Sequence, residues 1–142
     1  MSAELAFIDV LRDDATIGAL VGGTGTNARV YPMERPQKST LPAVTVILDE
    51  VNPQDTKDGV STLDVEFLRV HYYDTVFKNT SGVSGVYHLA AAGRTALDRI
   101  SGTYSSVVVQ SIRYLGESQF TEEINNKLIY VIEHNYQVRV VI

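Results

Sequence analysis

The 142-residue chain has no cysteine and no tryptophan. Without thiols it has no disulfide, no cysteine nucleophile and no thiolate metal site. Long apolar runs are missing too. None approaches the ~18–20 residues that a membrane-spanning helix needs. The opening MSAELAFIDVLRDD sets no basic group ahead of its apolar part, so neither a membrane partner nor a secretory signal is expected. Basic charge is scarce: 12 Lys and Arg against 17 Asp and Glu give a net charge of −5. Affinity for nucleic acid comes mainly from Lys and Arg displacing counterions from phosphate, and no basic stripe is present. That composition argues against gripping DNA, while it suits simple solubility or a wall past which DNA slides.

Signatures of chemistry are equally thin. The stretch GGTGTN (22–27) lacks the Lys-Ser/Thr ending of a phosphate loop and follows a helical pattern where that motif needs a strand. GTGTNA (23–28) fits a loose dinucleotide pattern but fails on the same context. SGVSG (81–85) has the wrong order for a serine-nucleophile elbow. Of three histidines, His71 and Asp74 sit three apart on a strand and so point to opposite faces. His134 falls on an apolar face between Ile132 and Tyr136, which suits a hydrogen-bonded core or interface histidine. His88 sits at the edge of a helix stripe. Asp64 and Glu66 share a strand face roughly 7 Å apart, a spacing open to a cation but commoner on a solvated face. No catalytic, cofactor or metal residues are assigned.

What is present is periodicity. Residues 3–21 read as helix, with Leu5, Ile8 and Leu11 at three-residue spacing, a break or restart at Asp13-Asp14, and Gly22-Gly23 as its end. Arg29–Met33 is short and extended because Pro32 biases Tyr31 away from helix. Leu41-Pro42 launches a strand, AVTVILDE, followed by a polar loop over 51–59. A second strand covers 60–73, with a change of dominant face near 67–68 that suggests a bulge. Residues 80–100 read as a helix with a small-residue centre, Leu89–Gly93, suited to close packing on a sheet. Tyr104–Leu115 is a further strand and 116–126 a second polar loop. Leu128, Tyr130, Ile132, Tyr136, Val138, Val140 and Ile142 share one parity and polar residues the other, which marks 127–142 as a long antiparallel strand. The expected fold is α+β in a single domain over 1–142. It is a mostly antiparallel sheet of two hairpins with two main helices on one face.

Two loops of eleven or twelve residues are long for hairpin connections and so are candidate contact sites. The first carries Asp55, Lys57 and Asp58. The second carries Glu117, Phe120, Glu122, Glu123 and Ile124. Charge is also uneven, with residues 49–75 summing to −5 and residues 76–113 to +3. Patches of opposite sign would set register between copies more than affinity.

The order of these signals is familiar. A helix ending in ALVGG leads to ARVYP (Arg29, Tyr31, Pro32), a proline-spaced link with ERPQ, and LPAVTV (Leu41, Pro42). A strand ending in VHYYD, a helix closing with TALDRI and a final NYQVRVVI complete it. Over nearly its whole length the chain resembles the tail-terminator, or tail-completion, proteins of long-tailed phages. The resemblance implies a virion protein, assembled in the host cytoplasm, that forms a hexameric ring. That ring would cap the head-proximal end of the tail tube, meeting the major tail tube protein and a head-closure or connector protein. It would leave a pore for DNA without binding it specifically. It implies no catalytic residues. Another head-tail connector, and from a different class a small-ligand-binding regulatory domain, remain as alternatives.

Overall fold

In the computed structural model, residues 3–36, 40–54, 63–78 and 85–141 are described. The first helical pattern divides in two. Helix α1 spans Ala3–Asp13 and α2 spans Ala15–Leu20. Asp14 makes the restart, since its carboxylate accepts the Ile17 N–H at 3.0 Å as an N-cap. The buried stripe of α1 is Ala3, Phe7 and Leu11, flanked by Ala6 and Ile8, whereas Leu5 is exposed. Spacing by four holds a side chain on one face of a 3.6-residue helix better than the three-residue spacing of Leu5, Ile8 and Leu11.

A short 3-10 turn, Gly25–Asn27, precedes strand β1 (Val30–Pro32). Strand β2 runs Ala43–Pro53, so residues 51–53, expected in a loop, continue the sheet. Strand β3 covers Leu63–Asp74. The expected irregularity near 67–68 lies on the opposing strand, where the register shifts between Leu48 and Glu50 and leaves Asp49 unpaired. Helix α3 spans Val86–Leu97, shorter than the expected 80–100; residues 80–84 lie outside the described residues.

After α3 come β4 (Gly102–Tyr104), β5 (Val107–Ile124) and β6 (Lys127–Val141). The expected loop at 116–126 is therefore the second half of an 18-residue strand and a two-residue turn. Asn125 and Asn126 make that turn with φ of 52° and 63°, the left-handed pair that asparagine tolerates and a tight β-turn requires. The stretch resembles a loop in sequence because no helix covers this end of β5, so neither face needs an apolar period.

The six strands form one sheet in the order β1-β2-β3-β6-β5-β4. Every pairing is antiparallel except β1 with β2. The fold is thus mixed α/β with a mostly antiparallel sheet, but with three helices and six strands. The short β4 and the separate α2 carry too few residues to show a period of their own. Side chains from all three helices share one apolar cluster with Val44, Val70, Tyr72, Ile132, Tyr136 and Val138.

Helix α3 comes close against the sheet at Gly93. A Cβ built there would run into the Tyr72 hydroxyl and ring, so only glycine fits. Gly93→Ala is expected to destabilise the fold by about 1–3 kcal/mol through overpacking. Urea unfolding should show a lower midpoint with an unchanged slope. An unshifted midpoint would mean that α3 has room to move off the sheet.

Candidate assembly surface

On the sheet face opposite α1 and α3, Tyr73, Ile129 and Val131 form a second, smaller apolar cluster with Leu41 packed against it. The Arg35 guanidinium lies 5.0 Å above the Tyr73 ring. Beside this cluster runs an open groove between the link after β1 and the β5–β6 turn. Its walls include Met33, Leu41, Tyr73, Glu122, Ile124 and Ile129. Met33 is 70% exposed. The fold thus brings Leu41 of the LPAVTV motif together with Glu122 and Ile124 from the expected second loop. Phe120 and Ile124 do not fold under the sheet. They project from β5 at 39% and 43% exposure, and Phe120 meets the His71 ring edge-on with centroids 5.7 Å apart.

A chain of polar contacts crosses this face. Arg69 binds Asp49 at 2.8 Å and Glu133 at 3.3 Å. His71 links Glu133 at 3.1 Å to the Tyr73 hydroxyl at 3.2 Å. Burial pushes the Glu133 carboxyl up, but hydrogen bonds from His71 and Arg69 outweigh it and hold the group below the usual carboxylate range. A histidine between a carboxylate and a phenol has the parts of a general base. Here those parts tie β2, β3 and β6 together as cross-strand pairs.

The other face holds a buried polar group. His134 is 2% exposed and its Nε2 lies 2.8 Å from the Glu117 carboxylate. Tyr72 and Tyr114 pack edge-on against its ring. Arg94 lies 3.9 Å above Tyr114. This is the hydrogen-bonded core histidine that the parity of β6 suggested. Glu66, expected on a solvated face, is instead buried and accepts the Ala3 N–H at 2.9 Å, at the N-terminal end of α1. Burial raises its pKa, and that backbone bond only partly offsets the effect. Among the described residues no three acidic or histidine groups gather as a metal site, and no helix is long and apolar enough to cross a membrane.

The remaining motif residues hold the fold. The Arg29 guanidinium donates to the Pro42 carbonyl at 2.9 Å and the Leu20 carbonyl at 3.5 Å, tying the end of α2 to the start of β2. Tyr31 and Pro32 pair with Thr45 and Val46. Glu123 is exposed near the turn, while Asp55, Lys57 and Asp58 lie outside the described residues. The sequence reading missed Met33, Tyr73 and Ile129 as groove residues. Met33 lies beside the proline-spaced link, but Tyr73 and Ile129 carry no signal beyond apolar or aromatic character within their strands.

The sheet edges differ. Along β1, Tyr31 faces β2, and Val30 and Pro32 turn their backbone outward. Val30 N–H donates to Ala28 and Val30 C=O accepts from Arg12 at 2.7 Å; Pro32 has no N–H and its C=O accepts from Glu34. That edge is closed. On the far side β4 covers only Val107–Val109 of β5, so from Gln110 to Ile124 no described strand pairs with its outer edge.

Exposed strand edges, a shallow groove and buried polar groups used for structure describe a protein that works through its surfaces. The comparisons agree in kind. The family model of tail completion protein gp17 matches residues 6–140, and the chain belongs to that family. It is a structural protein of a phage-type tail. No curated protein matches it. Among solved structures it is similar to a chain from the virion of a native gene transfer agent particle. The identity is 21%, the TM-score 0.63, and the match covers 96% of this chain and 92% of that one. At that identity the likeness establishes the fold.

His134 supplies a measurable pH dependence. Burial lowers its pKa below 6.5, against the opposing pull of Glu117. Folding therefore favours the neutral ring, and its contribution is complete above about pH 6.5 and declines as pH falls below that value. Urea midpoints measured at pH 7.5 and 5.5 should fall more in the wild type than in His134→Gln. Equal falls would assign the sensitivity to other groups.

Proposed function

We propose that this protein forms a ring, of six copies, on the head-proximal end of the phage tail tube. The ring ends tube polymerisation and presents the surface to which the head is joined. Its neighbours are the major tail tube protein on one side and a head-closure or connector protein on the other. DNA passes through its pore without specific binding. The chain works by contact and not by catalysis.

The observation that carries this reading is the family match over residues 6–140. The surface supports it. A closed ring needs two different patches that fit each other on successive copies. The helical layer and the open sheet face are chemically unlike, and the acidic 49–75 and basic 76–113 segments supply opposite signs. The deficit of basic groups suits a wall that does not hold DNA.

Particles assembled without this protein should carry tails of abnormal length that fail to join heads. Normal tails joined to heads would overturn the reading. Native mass of the assembled ring is expected near six times 15.6 kDa. Asp55, Lys57 and Asp58 are proposed contacts with the tube or a neighbouring copy. Removing residues 53–58 should disturb tail length, and tails of normal length and joining would exclude that segment.

A further inference from the structure

We propose that the outer edge of β5, from Glu117 to Ile124, takes up an extended basic segment of a different virion protein as an added strand. The inference deepens the assembly reading and rests on it.

An unpaired strand edge is a row of free N–H and C=O groups, and proteins usually blunt such rows with bulges, proline or lysine. The β5 edge is blunted only in its first part. Register shifts occur between Val109 and Ser111 and between Tyr114 and Gly116. From Glu117 to Ile124 the pairing with β6 is regular, residue for residue, and contains no proline or lysine. Eight residues of regular edge match the length of an added strand. Phe120 and Ile124 offer exposed apolar contacts on one face.

Charge and topology select the occupant. The segment carries Glu117, Glu122 and Glu123 and no basic residue. Among the described strands a second copy has four edges to offer: β1, β2 beyond Val46, β4 and the β5 edge itself. Its β1 edge is closed by Arg12, Ala28, Glu34 and Pro32. Its β2 edge beyond Val46 carries Asp49 and Glu50 with no Lys or Arg over 47–53 and is broken by the shift after Leu48; its β4 edge, Gly102–Tyr104, is too short to match eight residues; and its β5 edge is the same acidic run. Like charges set across strands repel. No described edge of a second copy therefore suits this one, and the β5 edge is left for a partner strand that alternates basic with apolar or hydroxyl side chains.

Two experiments test this. In the first, an eight-residue peptide alternating Lys with Val and Thr is added to the isotopically labelled full chain. Amide shifts should fall on Glu117–Ile124, and Glu122→Lys with Glu123→Lys should weaken binding about tenfold. Shifts elsewhere, or equal binding of the same peptide with Glu for Lys, would overturn the proposal. In the second, a photo-crosslinking residue replaces Thr121 in assembled particles. A product joined to a basic segment of another virion protein supports the proposal. A product joined to a second copy, or no product, overturns it. The ring reading is judged separately by tail length and native mass, and can fail while the peptide still binds.

Discussion

The pairing of β3 with β6 constrains everything around it. Twelve residue pairs run without a slip from Leu63 opposite Val141 to Asp74 opposite Tyr130. Leu68, Val70 and Tyr72 on one strand, with Ile132, Tyr136 and Val138 on the other, therefore reach the same side. Shifting β6 by one residue against β3 would send Ile132, Tyr136 and Val138 to the open face and bring Glu133 under the helices. That exchange would bury charge in an apolar layer, which is why one register prevails. Gly93 and Tyr72 complete the constraint by setting how near α3 can come.

Polar groups mark where the helical layer stops. Glu66 meets the first backbone N–H of α1, and Glu117 meets His134 just past the last register shift of β5. Glu66 joins the start of α1 to the flank of β3, and Glu117 joins the neighbouring strands β5 and β6, so each contact depends on both elements being in place. On the opposite face the Asp49–Arg69–Glu133–His71 chain spans three strands, with no described helix packed over it. A sheet with one face packed and one face held by cross-strand ion pairs keeps that second face available to neighbours. This suits a virion part better than a vessel for chemistry.

Much of this was legible from residue order. The alternation of 127–142, the strand launched by Leu41-Pro42, the strand expected over 60–73, and the buried place of His134 all follow from period-two patterning, which reports burial directly. The glycine-terminated first helix and its restart at Asp14 follow from capping chemistry. The run ESQFTEEI resembles a loop in sequence because periodicity is visible only where one face is covered. Its strand character comes from pairing with β6, an interaction between residues distant from any local signal. The burial of Glu66 is hidden for a related reason, since nothing in its own strand announces that a helix terminus lies above it.

The amino-acid order by itself determined the helix and strand periods, the deficit of basic charge and the family, because each is written in local spacing or in the succession of short motifs. The tertiary structure alone decided that Leu41 shares a groove with Glu122 and Ile124, that β1 ends in a sealed edge, and that β5 keeps a free one. Those are relations between segments far apart in the chain. Strand order sets them, and strand order depends on which faces must be buried together.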